Sequence, residues 1–242
     1  MSLVAVLPVK RFPSAKVRLA SDGLSSAQRL ALATGMLSDV LAALRRCELV
    51  DDIVVVTSEP GAEALARGAG AQVVADDPNE GHSEAAQRGI DWAVADGAFH
   101  TLLIAGDIPA VDPAEVDSLI EALAENEVVI IPDRHGSGTN ALILTPAGVI
   151  SPSFGEGSCQ RHQQIAADAG ATARVEPSFG IGLDVDTADD LDTLSAALEQ
   201  ADRSVAPYTR AVIGRLGPRG AGSNCWRSTG CRKSTPAMTS RR

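Results

Sequence analysis

The sequence predicts an α/β fold in which helices cover both faces of one mixed, predominantly parallel sheet, giving a three-layer α/β/α sandwich. Apolar, β-branched segments alternate with segments of helical periodicity along the first 200 residues, an order typical of βαβ units. Strand-like segments such as 53–56 are continuously apolar, as expected for strands that are buried on both faces. In such sheets a ligand lies beyond the carboxyl ends of the strands, and we expect a site there.

Seven segments have the composition of β-strands. Each is a short run of apolar and β-branched residues bounded by turn-forming residues. In chain order, the predicted strands are 3–9, 53–57, 72–75, 101–105, 128–131, 141–144 and 183–185.

The gaps between these strands carry helical patterns. A stripe of leucines at helical spacing follows Ser25. Asp112 followed by Pro113 is typical of an N-cap and a first helical residue. Thr187 and Asp190 form a variant capping box. The predicted helices therefore follow Ser25, cover 63–69, 83–95 and 113–124, and follow Thr187.

Charge and composition divide the chain near residue 202. Residues 203–242 hold nine basic residues and no acidic one, whereas residues 1–202 hold 12 basic and 31 acidic residues, a formal charge of −19. Residues 203–242 are rich in Arg, Ser, Gly and Thr without a sustained period, which is typical of a disordered extension. We expect one folded domain over 1–202 and a basic, disordered tail without a specific role over 203–242.

The composition also excludes several classes of protein. Hydrophobic residues make up 45% of the chain, enough for one sizeable core. The acidic body repels nucleic acid and anionic lipid, so we expect neither as a partner, and an anionic substrate needs a local basic site or divalent cations. The four cysteines lack zinc-ligand spacing, and no secretion signal or membrane-spanning run is found, which predicts a cytoplasmic protein.

The loop after the first strand is a candidate site for nucleotide phosphates. It brings Lys10, Lys16 and Arg18 into a body with few other cations. Lysine supplies a mobile charge and arginine a two-pronged donor, a combination that suits a triphosphate. The GxxxxGK pattern of a Walker loop is absent. An ordinary solvated basic loop is the alternative.

Three aspartates are candidate metal ligands. Asp107 follows a predicted strand, and Asp184 and Asp186 lie two apart on another, so that their side chains share one face. Clustered carboxylates repel one another unless a cation intervenes, and a set of oxygen ligands suits Mg²⁺. The alternative is ordinary turn chemistry, with Asp186 or Thr187 capping the next helix.

Two polar loops are candidate anion sites. Residues 132–140 connect two apolar segments through glycines and are longer than a hairpin requires, although a plain connection is the alternative. Residues 154–158 precede a helical stretch, so Ser158 can open that helix with free N–H donors, or it can be an ordinary N-cap.

Motifs of other enzyme classes are absent. The chain has no GxSxG, HExxH or GxGxxG pattern, which argues against serine hydrolases, zinc proteases and dinucleotide oxidoreductases. The four histidines lack metal-ligand spacing, and aromatic residues are too few for a base-stacking platform.

Taken in order, these motifs resemble the CofC/FbiD family of phosphoenolpyruvate and 2-phospholactate guanylyltransferases of coenzyme F-420 biosynthesis. The resemblance covers roughly residues 3 to 195. One departure is Gly81-His82-Ser83, where the family often has Gly-Leu-Asn. The motifs that carry the resemblance are Pro8-Val9-Lys10, Ala15-Lys16-Val17-Arg18-Leu19, Gly106-Asp107-Ile108-Pro109, the polar loop 133–140, Phe154-Gly155 with Ser158, Arg161-His162 and Leu183-Asp184-Val185-Asp186-Thr187.

The resemblance implies a nucleotidyltransferase fold of the GT-A type, shared with the MobA-like molybdopterin guanylyltransferases. It implies that Asp107, Asp184 and Asp186 bind two Mg²⁺ ions. It implies that Thr139, Gly155 and Ser158 bind the phosphorylated three-carbon acid and that Lys10, Lys16 and Arg18 bind the triphosphate. Lys16, Arg18 and Asp107 are then closest to the chemistry.

We therefore expect a Mg²⁺-dependent guanylyltransferase that condenses GTP with phosphoenolpyruvate to give enolpyruvoyl-2-diphospho-5'-guanosine and pyrophosphate. A downstream transferase of coenzyme F-420 assembly is an expected partner. The alternatives are the same chemistry on 2-phospho-L-lactate or 3-phosphoglycerate, a MobA-like nucleotidyltransferase, and a silent nucleotide-binding regulatory module. Product masses would separate the enzymes, and GTP binding without pyrophosphate formation would indicate the module.

Overall fold

The computed structural model describes residues 2–12, 16, 18–77 and 80–216. Among them, no helix combines the length and the apolar character needed to cross a bilayer. Their helices and strands, in chain order, are β1 (Leu3–Val9), α1 (Arg18–Ser21), α2 (Ser26–Leu44), β2 (Asp52–Thr57), α3 (Pro60–Gly68), β3 (Gln72–Ala75), α4 (His82–Ala95), β4 (His100–Ile104), α5 (Pro113–Glu121), β5 (Glu127–Pro132), β6 (Thr139–Thr145), α6 (Ser158–Asp168), β7 (Thr172–Val175), α7 (Phe179–Gly182), α8 (Ala188–Gln200) and α9 (Pro207–Leu216).

One seven-stranded sheet, in the order β3-β2-β1-β4-β6-β5-β7, forms the centre of the described chain. Strand β6 runs antiparallel to its neighbours β4 and β5, and the remaining strand pairs are parallel. The order reverses at β1, which lies between β2 and β4. Because β6 is antiparallel, its first residues, Thr139 and Asn140, lie at the edge where β1 and β4 end. The predicted mixed, mainly parallel sheet is confirmed.

Helices cover both faces of the sheet. On one face, α2, α3 and α5 pack against side chains such as Ala5 and Val55. On the other, α4 and α6 pack against side chains such as Val6 and Val54, because neighbouring residues of a strand point to opposite faces. Central strands with two covered faces need apolar residues throughout, which explains their continuous apolar runs. The predicted three-layer sandwich is confirmed.

Side-chain caps begin the helices where the sequence predicts them. Ser25 and Gln28 form a capping box at the start of α2. The Asp112 side chain accepts a hydrogen bond from the N–H of Ala114 at the start of α5. At the start of α8, Thr187 forms a capping box with the first turn of the helix. Each cap satisfies N–H groups that the helix itself cannot pair.

Two strand predictions differ from the structure. Residues 183–185 are not a strand; Leu183 and Val185 are buried in a cluster with α2 and α8, beside the sheet rather than within it. An apolar run that fills such a cluster has the same composition as a buried strand. Strand β7 is missing from the prediction because, among the described strands, it pairs with β5 alone at the edge of the sheet and is largely exposed, so it lacks an apolar run.

The folded part of the chain extends past residue 202, so the expected domain boundary lies too early. Helix α9 packs against α2, where Val212 and Ile213 join the cluster that contains Leu32 and Met36. Seven of the 14 residues in 203–216 are apolar, but the whole stretch 203–242 is rich in Arg, Ser, Gly and Thr, and its average composition hides this helix. The rest of the expected tail, residues 217–242, lies outside the described residues.

Helix α2 also caps helix α9. Both carboxylate oxygens of Asp39, in α2, accept backbone hydrogen bonds from the first turn of α9, from Tyr208 at 3.1 Å and from Thr209 at 2.7 Å. The two helices approach closely at Gly35, where an added Cβ would lie 3.4 Å from the backbone of Tyr208 and Thr209. The contact is therefore specific in its hydrogen bonds and in its packing.

Candidate active site

A cavity of about 430 Å³ opens at the edge of the sheet where β1 and β4 end and β6 begins. The strand order reverses at this point, which is the usual position of a ligand in an open α/β sheet. The volume lies in the range of small-molecule sites. The cavity is lined by eight of the nine predicted site residues, Lys10, Lys16, Asp107, Thr139, Gly155, Ser158, Asp184 and Asp186.

The ninth predicted residue, Arg18, lies outside this cavity. It is the exposed first residue of α1 and lines an adjoining cavity of about 270 Å³, together with Asp184 and Asp186. Its positive charge helps to lower the pKa of Asp186, after the larger influence of Lys16. The structure therefore brings Lys10 and Lys16 to one cavity and Arg18 to its neighbour.

One side of the cavity, the charged wall, consists of Lys16, Asp107, Asp184 and Asp186. The Lys16 ammonium donates hydrogen bonds to the carboxylates of Asp107 and Asp186, the latter at 2.9 Å. The Lys16 backbone has a φ of 57°, a left-handed conformation that non-glycine residues rarely adopt. Local strain of this kind concentrates at functional sites, which supports a ligand-binding role for the wall.

Neighbouring hydrogen bonds position the acids of the charged wall. Asp107 follows β4 after two residues, as predicted. Asp184 and Asp186 lie in the irregular segment between α7 and α8, so the alternation of a strand does not orient them. Asn140, at the start of β6, donates to Asp184 Oδ1 at 3.1 Å, and the Asp190 side chain accepts from the N–H of Asp186 at 3.0 Å. Contacts with other elements therefore bring these two carboxylates to the cavity.

The pKa values of Asp184 and Asp186 are shifted in opposite directions. Burial would raise the pKa of Asp186, but the charge and hydrogen bond of Lys16 lower it below its usual value. Burial raises the pKa of Asp184, and the negative charge of Asp107 raises it further. Burial would lower the pKa of Lys16, but the two carboxylates that it contacts raise it, so the ammonium is protonated at neutral pH. Asp184 is the acid whose negative charge is least compensated.

The charged wall fits a divalent cation in its chemistry. Three carboxylates supply only oxygen ligands, the set that Mg²⁺ and similar hard cations prefer. The charges of Asp107 and Asp186 raise the pKa of Asp184, a repulsion that a cation would relieve. Among the described residues, no three acidic, His or Cys side chains are grouped at metal-ligand spacing; instead, Lys16 bridges Asp107 and Asp186. A divalent ion at this wall therefore requires Lys16 to move.

A second side of the cavity, the hydroxyl wall, consists of Thr139, Gly155 and Ser158. Thr139 is the first residue of β6, and Ser158 is the first residue of α6, after the left-handed N-cap Gly157. The expected free N–H donors are not found at Ser158 and Cys159, whose N–H groups donate to the carbonyl oxygens of Gly155 and Ser137. The Ser158 hydroxyl donates to Thr139 Oγ1 at 3.0 Å. Gly155 has a φ of 116°, which only glycine adopts readily, and it turns the chain into α6. The wall presents neutral hydrogen-bonding groups.

Arg161 holds the loop that leads into the hydroxyl wall. Its guanidinium donates to the carbonyl oxygens of Ser153 at 2.9 Å, Phe154 at 3.3 Å and Glu156 at 2.8 Å. A guanidinium carries five N–H donors in a planar fork, so one side chain can satisfy three carbonyls at once. In the sequence, Arg161 is noted only as part of a family motif. In the structure, it holds the loop in place.

Some cavity residues are missing from the sequence prediction. His82, the first residue of α4, lines the cavity, and burial lowers its pKa, with a further contribution from the charge of Lys10. In the sequence, the departure from the family pattern at residues 81–83 is what could have pointed to His82 as a cavity residue. Met36 and Leu37 of α2 form an apolar side of the cavity. The helical periodicity predicts that these two residues are buried but does not distinguish a core position from a cavity wall.

Comparisons with known proteins identify the family of this chain. The family described as "Guanylyl transferase CofC like" matches residues 3–212. A phosphoenolpyruvate guanylyltransferase of Conexibacter woesei is 45% identical over 219 residues, covering 89% of this chain and 97% of the relative. A 2-phospho-L-lactate guanylyltransferase of Methanothermobacter thermautotrophicus is 34% identical over 192 residues, covering 79% and 83%.

A solved structure confirms the fold. A nucleotidyl transferase, also of Methanothermobacter thermautotrophicus, aligns with a TM-score of 0.62 over 83% of this chain and 99% of its own. The two sequences are 19% identical, so the likeness concerns the fold alone. The nucleotidyltransferase fold implied by the motifs is confirmed.

Proposed function

The chain belongs to the CofC-like family of guanylyl transferases, and from this membership we propose that it transfers the guanylyl group of GTP to phosphoenolpyruvate and releases pyrophosphate. It is therefore a nucleotidyltransferase. The proposed product is enolpyruvoyl-2-diphospho-5'-guanosine, an intermediate of coenzyme F-420 biosynthesis. Such a mixed diphosphate is an activated donor, the kind of compound that a downstream transferase consumes.

One observation carries this proposal: a single cavity joins the charged wall to the hydroxyl wall. Cations and carboxylates that can hold a further cation suit a triphosphate. The hydroxyls of Thr139 and Ser158 suit the oxygens of a small phosphorylated acid. The two substrates of a guanylyl transfer need two such surfaces side by side.

We assign the triphosphate of GTP to Lys10, Lys16 and Arg18. Lys10 and Lys16 line the main cavity, and Arg18 lines the adjoining one. Lys16 exchanges its carboxylate partners for phosphate oxygens when the nucleotide binds, which brings its charge to the reacting group. In this assignment Lys16, Arg18 and Asp107 are the residues nearest to the chemistry.

We assign Mg²⁺ to Asp107, Asp184 and Asp186. Nucleotidyltransferases of this kind generally use a divalent metal, and the oxygen donors favour magnesium. When bound, the ion would neutralise the charge that builds on the departing pyrophosphate. Hydrogen bonds from Asn140 and to Asp190 hold two of the three acids in place before any cation arrives.

The proposed reaction needs no general base. A phosphate monoester has a second pKa of about 6, so at neutral pH it is a dianion that can attack directly. One of its oxygens forms a bond to the α-phosphorus of GTP. The bond from that phosphorus to the oxygen that bridges the α- and β-phosphates breaks, so that pyrophosphate leaves with the electron pair. The chain contributes positioning: Thr139, Gly155 and Ser158 hold the acid with its phosphate towards the charged wall.

Phosphoenolpyruvate is the proposed acid. Phosphoenolpyruvate, 2-phospho-L-lactate and 3-phosphoglycerate share a phosphate and a carboxylate, and the hydroxyl wall offers contacts to those shared groups. The more similar of the two relatives above carries the name phosphoenolpyruvate guanylyltransferase, which supports phosphoenolpyruvate as the first choice.

The test is to incubate the protein with Mg²⁺, GTP and each acid separately, and to weigh the nucleotide products by mass spectrometry. We expect the enolpyruvoyl diphosphate of guanosine with phosphoenolpyruvate, and pyrophosphate in equal amount. A nucleotide product formed with 2-phospho-L-lactate instead, heavier by two hydrogen atoms, would change the proposed acceptor but keep the proposed chemistry. GTP binding without pyrophosphate release with any acceptor would contradict the proposal and favour a silent nucleotide-binding module.

A further inference from the structure

A buried histidine lies behind the hydroxyl wall. His162, in α6, is completely buried and is not among the residues that line the cavity. Its two ring nitrogens have different partners: Nε2 lies 2.9 Å from the backbone nitrogen of Ser153, and Nδ1 lies 3.1 Å from Thr139 Oγ1. The ring thus connects the loop before α6 to the first residue of β6.

These partners determine the tautomer of His162. A backbone N–H can only donate, so Nε2 must accept and cannot carry a proton. Burial, with a smaller contribution from the charge of Arg161, lowers the pKa of His162 to about 4, so the ring is neutral at neutral pH. A neutral imidazole without a proton on Nε2 carries it on Nδ1. His162 therefore donates to Thr139.

This donation leaves one hydroxyl hydrogen of the wall without an acceptor inside the wall. Thr139 and Ser158 have two hydroxyl hydrogens, and the bond between them uses one. Because His162 supplies its own hydrogen to Thr139 Oγ1, the second hydroxyl hydrogen is left for another acceptor. Reversing the bond between Thr139 and Ser158 moves the free hydrogen from one hydroxyl to the other and leaves the count unchanged. If His162 accepted instead, both hydrogens would be used within the wall.

We propose that His162 is a positioning residue that keeps one hydroxyl hydrogen of the Thr139–Ser158 pair available to an anionic oxygen of the phosphorylated acid. The inference rests on the proposed function, in which these two residues hold the acid. His162 touches neither substrate; it acts through Thr139. Aromatic packing supports the arrangement, because Phe154 meets the His162 ring edge to face, with centroids 5.3 Å apart, and limits its rotation.

The first test uses the ligand-free, wild-type protein. Nitrogen chemical shifts of the imidazoles, measured by NMR at pH 7, distinguish Nδ1–H from Nε2–H. The His162 signals are those that disappear in the His162→Asn variant. We expect the Nδ1–H tautomer. A Nε2–H tautomer, or a protonated ring, would overturn the inference whether or not the protein is a guanylyltransferase.

The second test compares two substitutions of the same histidine. Asn can place an amide N–H near the position of Nδ1 and so keep the donor to Thr139. Gln reaches the position of Nε2 and can accept from Ser153, but it has no donor near Nδ1. We expect His162→Asn to leave the KM for the acid within about 3-fold of wild type and His162→Gln to raise it about 5-fold or more, with the kcat and the KM for GTP little changed. Equal effects of the two substitutions would contradict the inference.

A double-mutant cycle tests whether His162 acts through Thr139. Thr139→Val removes the hydroxyl but keeps the shape of the side chain. If the inference holds, adding His162→Gln to Thr139→Val raises the KM for the acid by less than about 2-fold, because the receiving group is already gone. Multiplying effects would overturn it. Absence of turnover by the wild-type protein with every acid would instead refute the proposed function, and the inference would fall with it.

Discussion

The two walls of the cavity are held together by different interactions. The charged wall is held by an ion pair in which Lys16 bridges Asp107 and Asp186, so its present partners are ones that a ligand would replace. The hydroxyl wall is held by bonds among neutral groups, Thr139, Ser158 and the buried His162, which a ligand can leave in place. In the proposed function the first wall has to rearrange when its ligands bind, whereas the hydrogen bonds of the second are already formed. Substitutions in the first should therefore affect turnover, and those in the second should affect affinity for the acid.

The largest effect is expected from Asp186→Asn. The substitution keeps the size of the side chain but removes a proposed metal ligand, and we expect turnover to fall by about 1000-fold, because metal stabilisation of the leaving group contributes several kcal/mol. Pyrophosphate release measures turnover, and thermal unfolding checks the fold. Glu199→Gln, at an exposed position of α8, removes the same charge away from the site and serves as the control. Near wild-type pyrophosphate release by Asp186→Asn would refute the metal role.

Lys16→Met tests whether the charged wall must rearrange. We expect turnover to fall by about 100-fold, the value of a charged hydrogen bond lost in the transition state. In the ligand-free protein we expect Mn²⁺ to bind about 10-fold more tightly, because the competing ammonium is gone. Electron paramagnetic resonance of free Mn²⁺ measures the affinity.

Lys10→Met is the matched control for Lys16→Met. It removes one positive charge from the same cavity, but Lys10 makes no ion pair with the three acids among the contacts of the described residues. We expect its Mn²⁺ affinity to stay within about 2-fold of wild type, because no bridging ammonium is lost. Unchanged Mn²⁺ affinity in Lys16→Met itself would show that Lys16 does not compete with a cation.

His162 gives the hydroxyl wall a signature in stability against pH. Its pKa of about 4 in the folded protein lies below the usual 6.5, so between these values the unfolded chain binds more protons. The contribution to the free energy of unfolding is complete above about pH 6.5 and falls by about 2 kcal/mol on going to pH 5. Urea unfolding at pH 7, 6 and 5 should show a steeper loss for wild type than for His162→Asn. Parallel curves would show that the ring is not buried in its neutral form.

A smaller effect, confined to one KM, is expected from Ser158→Ala. Loss of one hydroxyl from the hydroxyl wall should raise the KM for the acid about 10-fold and leave the KM for GTP unchanged. Steady-state kinetics with each substrate varied in turn measures both constants. Ser118→Ala, which removes an exposed hydroxyl from α5, is the control. An effect confined to GTP would show that the hydroxyl wall has been assigned to the wrong substrate.

The sequence could predict which residues surround the cavity but not how they interact. Asp107 follows an apolar strand and Lys10 follows another, and such local signals place both at one edge of a parallel sheet. The ion pair between Lys16 and Asp186 joins residues 170 positions apart, and nothing local to either residue indicates it. The role of His162 depends on contacts with β6 and with the loop before α6, so it emerges only in the folded chain.

One physical cause explains why two strands and the direction of β6 differ from what the sequence predicts. An apolar run reports burial, and burial does not reveal which element provides it. Residues 183–185 are buried by α2 and α8 outside the sheet, whereas β7 pairs in the sheet while remaining largely exposed. The direction of β6 is equally hidden, because antiparallel and parallel buried strands have the same composition. That direction brings Thr139 to the cavity.

Met36 of α2 connects the cavity to the far end of the chain. It lines the cavity and also belongs to the apolar cluster that α9 completes. A shortened protein ending at residue 202, where the charge pattern changes, would keep every assigned ligand-binding residue but lose the helix that supports this side of the cavity. The segment up to Leu216 is therefore part of the smallest unit that can be expected to shape the binding cavity. Purification tags and fusion partners at the C-terminal side belong after that residue.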